Sequence, residues 1–193
     1  VTGVQTCALP ICFDVEEFDA PLDRGRDIPM EEQMEIGGRG QARVLDLLDG
    51  LGVAATMFTT ASFAAWHPAL QRRAAAAHEI GSHGRVHRTF ADADLAISRQ
   101  ALRDSSGQEV LGFRRARLQP TDPQAILDAG YLWDSSETPI YLPGRYNNLG
   151  KPRVPYRKGA LVVLPVSASP VVRFPLFWLA WKNFPMALVR DAS

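Results

Sequence analysis

Residues 78–87 read His78-Glu79-Ile80-Gly81-Ser82-His83-Gly84-Arg85-Val86-His87. Glu79 to Ser82 has the pattern of a short strand, and two histidines follow just past its end. Three of the chain's four histidines stand in these ten residues, the fourth being His67. Gly81 and Gly84 loosen the backbone around the pair. His83 and His87 are four positions apart. On a helical turn that spacing puts both imidazoles on one side, where they can face one metal ion. A pair of this kind also arises by chance, so it needs support. His67, before Pro68 at a helix start, reads as structural. So does His78 at a helix C-terminus, where the carbonyl ends carry partial negative charge. A metal site would need a third ligand, and the first candidate is a carboxylate from Asp14-Val15-Glu16.

Outward from this stretch, strands and helices alternate. Residues 42–51 predict an amphipathic helix with Val44, Leu45, Leu47, Leu48 and Leu51 on one stripe, closed by Gly52. Val53 to Phe58 predicts a buried strand, and Pro68 opens a helix running to Ala77. Downstream, Asp92 is placed to cap a helix from Ala93 to about Asp104. Val110 to Phe113 is strand-like. Asp122-Pro123 begins a helix that Gly130 ends. Tyr131 to Trp133 is a strand running into Asp134-Ser135-Ser136, and Ala160 to Val166 is a further apolar strand. This order indicates an α/β fold with a mostly parallel sheet. In such folds ligand-binding groups collect at the C-terminal ends of strands. Asp14, Glu16, His83, His87, Arg114 and Asp134 all fall at or just past such ends.

Along a strand through Cys12 to Phe18, Asp14 and Glu16 share one face, Val15 points into the core and Glu17 points away. Residues 19–40 are polar, with Pro21, Pro29 and glycines at 25, 37, 38 and 40. They are expected to form a long loop over the acidic pair. Residues 137–159 form a Pro/Gly/Asn-rich connection that includes Pro143-Gly-Arg-Tyr-Asn-Asn148. Phe174 to Pro185 is expected to be an amphipathic helix packed on the domain. It is too short and too interrupted to span a membrane.

Composition narrows the classes. A chain of 193 residues with 46% hydrophobic content is one ordinary domain with a sizeable core. A formal net charge of zero gives no reason to expect nucleic acid or an acidic membrane surface as partner. Neither a P-loop nor a dinucleotide-binding glycine fingerprint occurs. The two cysteines, Cys7 and Cys12, make neither a disulfide framework nor a zinc knuckle. The first eleven residues lack a basic n-region and a long apolar core. They resemble translated sequencing-adaptor read-through and are set aside, leaving 12–193 as the domain. The sequence sets neither location nor oligomeric state.

Four stretches in order carry a resemblance: Phe13-Asp-Val-Glu16, His78 to His87, Gly112-Phe-Arg-Arg-Ala116 and Gly130-Tyr-Leu-Trp-Asp-Ser-Ser136. Together they resemble the polysaccharide deacetylase family (NodB-like, carbohydrate esterase family 4). The Asp-x-Glu and His-Gly-x-x-His forms are similar to its branch with peptidoglycan deacetylase-like and allantoinase-like proteins. The resemblance implies a distorted, incomplete (β/α) barrel, C-terminally truncated, and one divalent metal ion, most often Zn2+. It implies Glu16, His83 and His87 as metal ligands, Asp14 as general base and Arg114 as the group that orients it. Arg115 and Asp134 are candidate substrate contacts. A backbone N–H near Arg115 would help the ion stabilise the oxyanion. The implied substrate is an N-acetylated glycan; small cyclic amides and a non-catalytic, metal-retaining carbohydrate binder are the alternatives. The chain departs from the family pattern in three places. The usual adjacent aspartates become Asp14-x-Glu16, with Glu17 as reserve ligand. The arginine-x-proline becomes Arg114-Arg115-Ala116. No histidine follows His87, so the chain is expected to end before the family's closing motif and its catalytic histidine.

Overall fold

The computed structural model describes residues 11–170 and Arg173. Residues 1–10 of the tail and the helix expected from Phe174 to Pro185 lie outside these residues. The described residues form two compact units. One comprises 11–90 with Ile97–Val110, the other Ala91–Ala96 with 111–170 and Arg173.

The first unit is built on three parallel strands, β1 (Cys12–Val15), β2 (Thr56–Thr59) and β3 (Glu79–Ser82). β2 lies in the middle and all four of its residues are buried, as a strand covered on both faces must be. The register sets Val15 beside Thr59 and Thr59 beside Ser82. The C-terminal ends of β1 and β3 are therefore level, and residues 16 and 83 each stand one step beyond. Gly81 makes room for the ring of its partner Phe58 rather than loosening the chain. A Cβ there would lie 2.6 Å from that ring.

Helix α1 (Met30–Leu51) joins β1 to β2 and corrects the expected loop over 19–40. The loop ends at Pro29, and Gly37, Gly38 and Gly40 lie inside the helix. Met34, Gly38, Gln41, Leu45 and Leu48 are all buried, so the buried stripe begins about three turns before the first leucine cluster. Gly37 and Gly38 are points of close approach, whereas nothing lies within 4 Å of a Cβ on Gly40. A Cβ on Gly37 would lie 2.5 Å from the Glu16 carbonyl oxygen and 2.8 Å from the Phe63 ring, and one on Gly38 2.8 Å from the His67 ring. Each glycine costs the helix about 1 kcal/mol relative to alanine. That loss is offset by bringing α1 against the end of β1. The C-terminus is as read: Gly52 takes φ 63° and its N–H reaches Leu48 and Asp49 carbonyls.

Between β2 and β3 lie α2 (Ala61–Trp66) and α3 (Pro68–Ala77). α3 matches the expectation, whereas six residues of α2 are too few to show a helical period. Thr60 caps α2, its hydroxyl oxygen accepting the Phe63 N–H. His67 is structural, with Nε2 2.8 Å from the Met34 carbonyl oxygen. His78 is buried at the C-terminus of α3. The core of this unit is Val15, Met34, Leu45, Met57, Phe58, Phe63, Ile80 and Leu102, each at most 6% exposed.

Helix α4 (Ala93–Ser106) follows as expected, with Asp94 rather than Asp92 accepting a local N–H, from Ala91 at 2.8 Å. In the second unit β4 (Gly112–Phe113), β5 (Trp133–Asp134) and β9 (Leu161–Val163) are parallel, and β8 (Tyr156–Lys158) pairs antiparallel with β9. α5 (Pro123–Asp128) is capped by Asp122 as predicted, and Gly130 turns left-handed after it at φ 88°. The 137–159 connection holds a hairpin, β6 (Tyr141–Leu142) with β7 (Tyr146–Asn147). Phe113, Ile126, Tyr131, Ile140 and Val163 form the core here. The Tyr131 hydroxyl is satisfied by donating to the Leu95 carbonyl at 2.9 Å. The fold is thus α/β with mostly parallel strands. No helix among the described residues is long and apolar enough to cross a membrane.

Candidate metal centre and active site

Past the end of β1 the strand alternation persists. Val15, Glu17 and Asp19 are buried, Asp14 is exposed and Glu16 is partly exposed. Glu17 does point away from the Asp14–Glu16 face, but into protein rather than solvent. Its Oε2 accepts from the Thr60 hydroxyl at 2.8 Å and the Ser62 hydroxyl at 3.2 Å, and its Oε1 accepts the His87 backbone N–H at 2.8 Å. With its oxygens so engaged, Glu17 ties the histidine loop to the α2 cap, and Glu16 is the carboxylate that faces the two imidazoles.

The two histidines are not on a helical turn. His83 directly follows β3, and its N–H donates to the Thr59 carbonyl at 2.9 Å. Gly84 then turns the chain through φ 87°, a left-handed conformation in which a Cβ is strained. The Gly84 and Arg85 carbonyls accept the first N–H groups of α2, from Ala61 and Ser62, both at 3.0 Å. This anchored loop brings the rings together, with centroids 5.7 Å apart and planes inclined by 23°.

Both rings face one oxygen. His83 Nε2 lies 3.0 Å and His87 Nε2 3.3 Å from Glu16 Oε2. Glu16, His83 and His87 form a cluster whose ligand atoms all lie within 4.8 Å of one another. Glu16 Oε2 is buried and has no hydrogen-bond partner, despite the two nitrogens beside it. Bonds of about 2.0–2.1 Å in a tetrahedral zinc site place neighbouring ligand atoms about 3.3 Å apart. A buried orphan carboxylate oxygen ringed by imidazole nitrogens at that spacing fits a divalent cation. His87 Nδ1 lies 2.9 Å from Asp19 Oδ2, and an ionised carboxylate only accepts, so Nδ1 carries the proton. With the proton on Nδ1, the neutral form of the ring presents the Nε2 lone pair to the cluster. Asp19 was missed in the sequence. Its signal was there, since it falls in phase with Val15 and Glu17 on the buried face.

The remaining candidates lie in the second unit. Arg114 is buried and no surface group: its Nε donates to the Ser135 carbonyl at 3.1 Å and its Nη2 to the Ser135 hydroxyl at 2.8 Å. The Arg115 backbone N–H, in the place expected of an oxyanion donor, donates instead to Ser136 Oγ at 2.8 Å. Asp134 is buried and accepts from the Ser136 N–H at 3.0 Å and from its hydroxyl. Burial pushes its carboxyl above the ordinary range, and the Ser136 hydrogen bonds oppose this. The Asp134-Ser-Ser136 run thus supports the arginine pair that precedes it in the chain.

Residues 35–120 match the family model for polysaccharide deacetylase. That span holds His83, His87 and Arg114, whereas Asp14, Glu16 and Asp134 lie outside it. No curated protein matches the chain. Among solved structures, a protein from Mycobacterium smegmatis designated a polysaccharide deacetylase is 26% identical, with a TM-score of 0.64 over 82% of this chain and 58% of its own. One of the same designation from Pseudomonas aeruginosa PAO1 shares the fold at 21% identity, with a TM-score of 0.61 over 83% of this chain and 62% of its own. Puue allantoinase shares it at 23% identity, with a TM-score of 0.58 over 83% and 61%. The chain thus spans about three fifths of the length of these proteins. The chain is thus similar to polysaccharide deacetylases, in sequence over residues 35–120 and in fold over about four fifths of its length.

Proposed function

We propose that the protein is a metal-dependent hydrolase that removes N-acetyl groups from a polysaccharide or other glycan. The observation that carries this reading is the buried, hydrogen-bond-free Glu16 Oε2 at 3.0 and 3.3 Å from two imidazole nitrogens. Two neutral imidazoles and one carboxylate are the donor set of catalytic zinc sites that keep a position open. Glu16, His83 and His87 would hold the ion, and Asp19 fixes the His87 ring for it. When bound, the ion supplies Lewis acidity to the acetyl carbonyl and lowers the pKa of water toward about 7. Asp14, exposed two residues before Glu16, is the base whose carboxylate takes a proton from the attacking water. Arg114, its guanidinium aimed by Ser135, matches by family resemblance the arginine that serves the base in that family. Water adds to the amide carbonyl, the carbon–nitrogen bond breaks, and the products are acetate and the amine sugar.

The experiment pairs zinc or cobalt titration with acetate release from N-acetylated oligosaccharides, and with ureide hydrolysis as a control. One ion is expected to bind and raise the melting temperature, and His83→Ala to abolish that rise. A chain that takes up no ion would end the hydrolase reading. Ureide turnover without acetate release would move it to cyclic amides, and glycan binding with neither would make it a binding protein.

A further inference from the structure

The hairpin β6–β7 and the strand β8 play no part in the metal centre, yet with the turn after β4 they enclose a cavity of about 400 Å³ in the second unit. That is within the range of small-ligand sites. We propose that this cavity binds a carboxylate-bearing sugar unit, so that the protein acts on an acidic glycan rather than a neutral one. The sugar rests on the hydrolase reading above, and the anion rests on the cavity itself.

The charge argument comes from the walls. Arg145, Lys151 and Lys158 line the cavity, against Glu137 and Asp134. Glu137 is shared: its Oε2 lies 3.2 Å from Lys151 Nζ and 3.1 Å from Lys158 Nζ, and its Oε1 accepts from the Tyr156 hydroxyl at 2.6 Å. One carboxylate between two ammonium groups leaves a positive charge over. Arg145 adds a second, and its planar fork of donors suits a carboxylate. Asp134 is sealed by Ser136 and buried, which disfavours its anion and weakens its opposition to an incoming negative group. Asn147 adds an amide of the kind that reads sugar hydroxyls, while Asn148 Nδ2 donates to the Thr138 carbonyl at 3.0 Å and holds the wall.

The cavity is also held in shape. Arg117 and Leu118 are successive non-glycine residues in the left-handed region, at φ 58° and 51°. Such strain persists only where the surroundings enforce it, and it gathers at functional sites. Here the Tyr146 hydroxyl donates to the Arg117 carbonyl at 2.7 Å, and Arg115 Nη1 to the Pro120 carbonyl at 2.6 Å. The hairpin that supplies Arg145 therefore also pins the strained turn opposite.

The test is calorimetric titration of the 193-residue chain with two ligands: a tetrasaccharide of alternating N-acetylglucosamine and glucuronic acid, and neutral chitotetraose. The acidic ligand is expected to bind at least about tenfold more tightly at low salt, with the preference shrinking as salt screens it. In Arg145→Ala/Lys151→Ala the ratio should fall to near one, while Arg145→Lys should keep part of it; melting curves check that each variant is folded. Equal affinity in the wild type, or an undiminished ratio in the double variant, overturns the proposal. Acetate release is followed separately. Acidic preference without acetate from either ligand keeps this site and removes the hydrolase reading. Acetate from chitotetraose with no acidic preference does the reverse.

Discussion

Asp19 is the sharpest test of the metal centre, because it touches no proposed ligand atom. Its carboxylate meets His87 on the Nδ1 side, 2.9 Å away, while the ligand atom Nε2 is across the ring. Asp19→Ala removes the acceptor that fixes the ring's tautomer and orientation. Removing such supporting acceptors weakens metal binding by roughly 10- to 100-fold, or about 1.4 to 2.7 kcal/mol. Asp19→Asn keeps a carbonyl oxygen that can accept the Nδ1 proton, so its loss should stay below about tenfold. The assay is competition for zinc against a chromophoric chelator, read beside the zinc-induced rise in melting temperature. Circular dichroism establishes that both variants fold. A direct ligand variant such as His83→Ala should lose binding outright, which places Asp19→Ala between it and the wild type. If a folded Asp19→Ala binds zinc as the wild type does, then His87 is not positioned through Nδ1, and the tautomer argument is wrong.

Glu17→Gln puts an NH2 group where one oxygen accepts, against either the His87 N–H or the Thr60 hydroxyl. A buried mismatch of this kind should cost about 1–3 kcal/mol in urea denaturation; no loss would mean the loop is anchored elsewhere. Gly37→Ala gains helix propensity but drives a Cβ to 2.5 Å from the Glu16 backbone oxygen and 2.8 Å from Phe63. A net loss of about 1–3 kcal/mol is expected, and a more stable variant would show that α1 does not press on β1. Asp134→Asn tests the sign of a raised carboxyl. Because burial lifts Asp134 above its ordinary 3.8, its contribution is full below that value and is lost as pH rises through the folded value. The variant should therefore gain melting temperature over the wild type from acid to neutral pH. A difference that does not change with pH would refute the shift.

The fold was legible wherever a helix had both a period and a cap. α3 and α5 carry a proline at their first turn, α5 has Asp122 before it, and α1 ends on Gly52. What misled was composition at the start of α1, where three glycines within four positions read as a loop. Local propensity cannot show that β1 needs a neighbour without side chains. Only the packed structure explains Gly37 and Gly38, with the Glu16 carbonyl 2.5 Å from where a Cβ of Gly37 would sit and the His67 ring 2.8 Å from one on Gly38; Gly40 has no such neighbour.

The site was legible as residue types, but not for the reason first attached to them. Spacing by four suggested one face of a helical turn, whereas His83 and His87 sit in a loop bent at Gly84. Their convergence comes from three tertiary ties: the Thr59 carbonyl on the His83 N–H, Glu17 on the His87 N–H, and Asp19 on the His87 ring. Two of those three are carboxylates that a surface-minded reading of Glu16-Glu17-Phe18-Asp19 assigns to solvent. Their burial is the informative fact, since a buried acid must be satisfied or neutralised. Here each is satisfied by a group of the histidine loop, so the acidic run divides by strand phase. Asp14 and Glu16 lie on the more exposed side, and Glu17 and Asp19 on the buried side build the support. It follows that moving the carboxylate from 16 to 17 should not relocate the ligand, because position 17 lies on the wrong side of the strand. A Glu16→Ala chain that retained zinc through Glu17 would contradict this division.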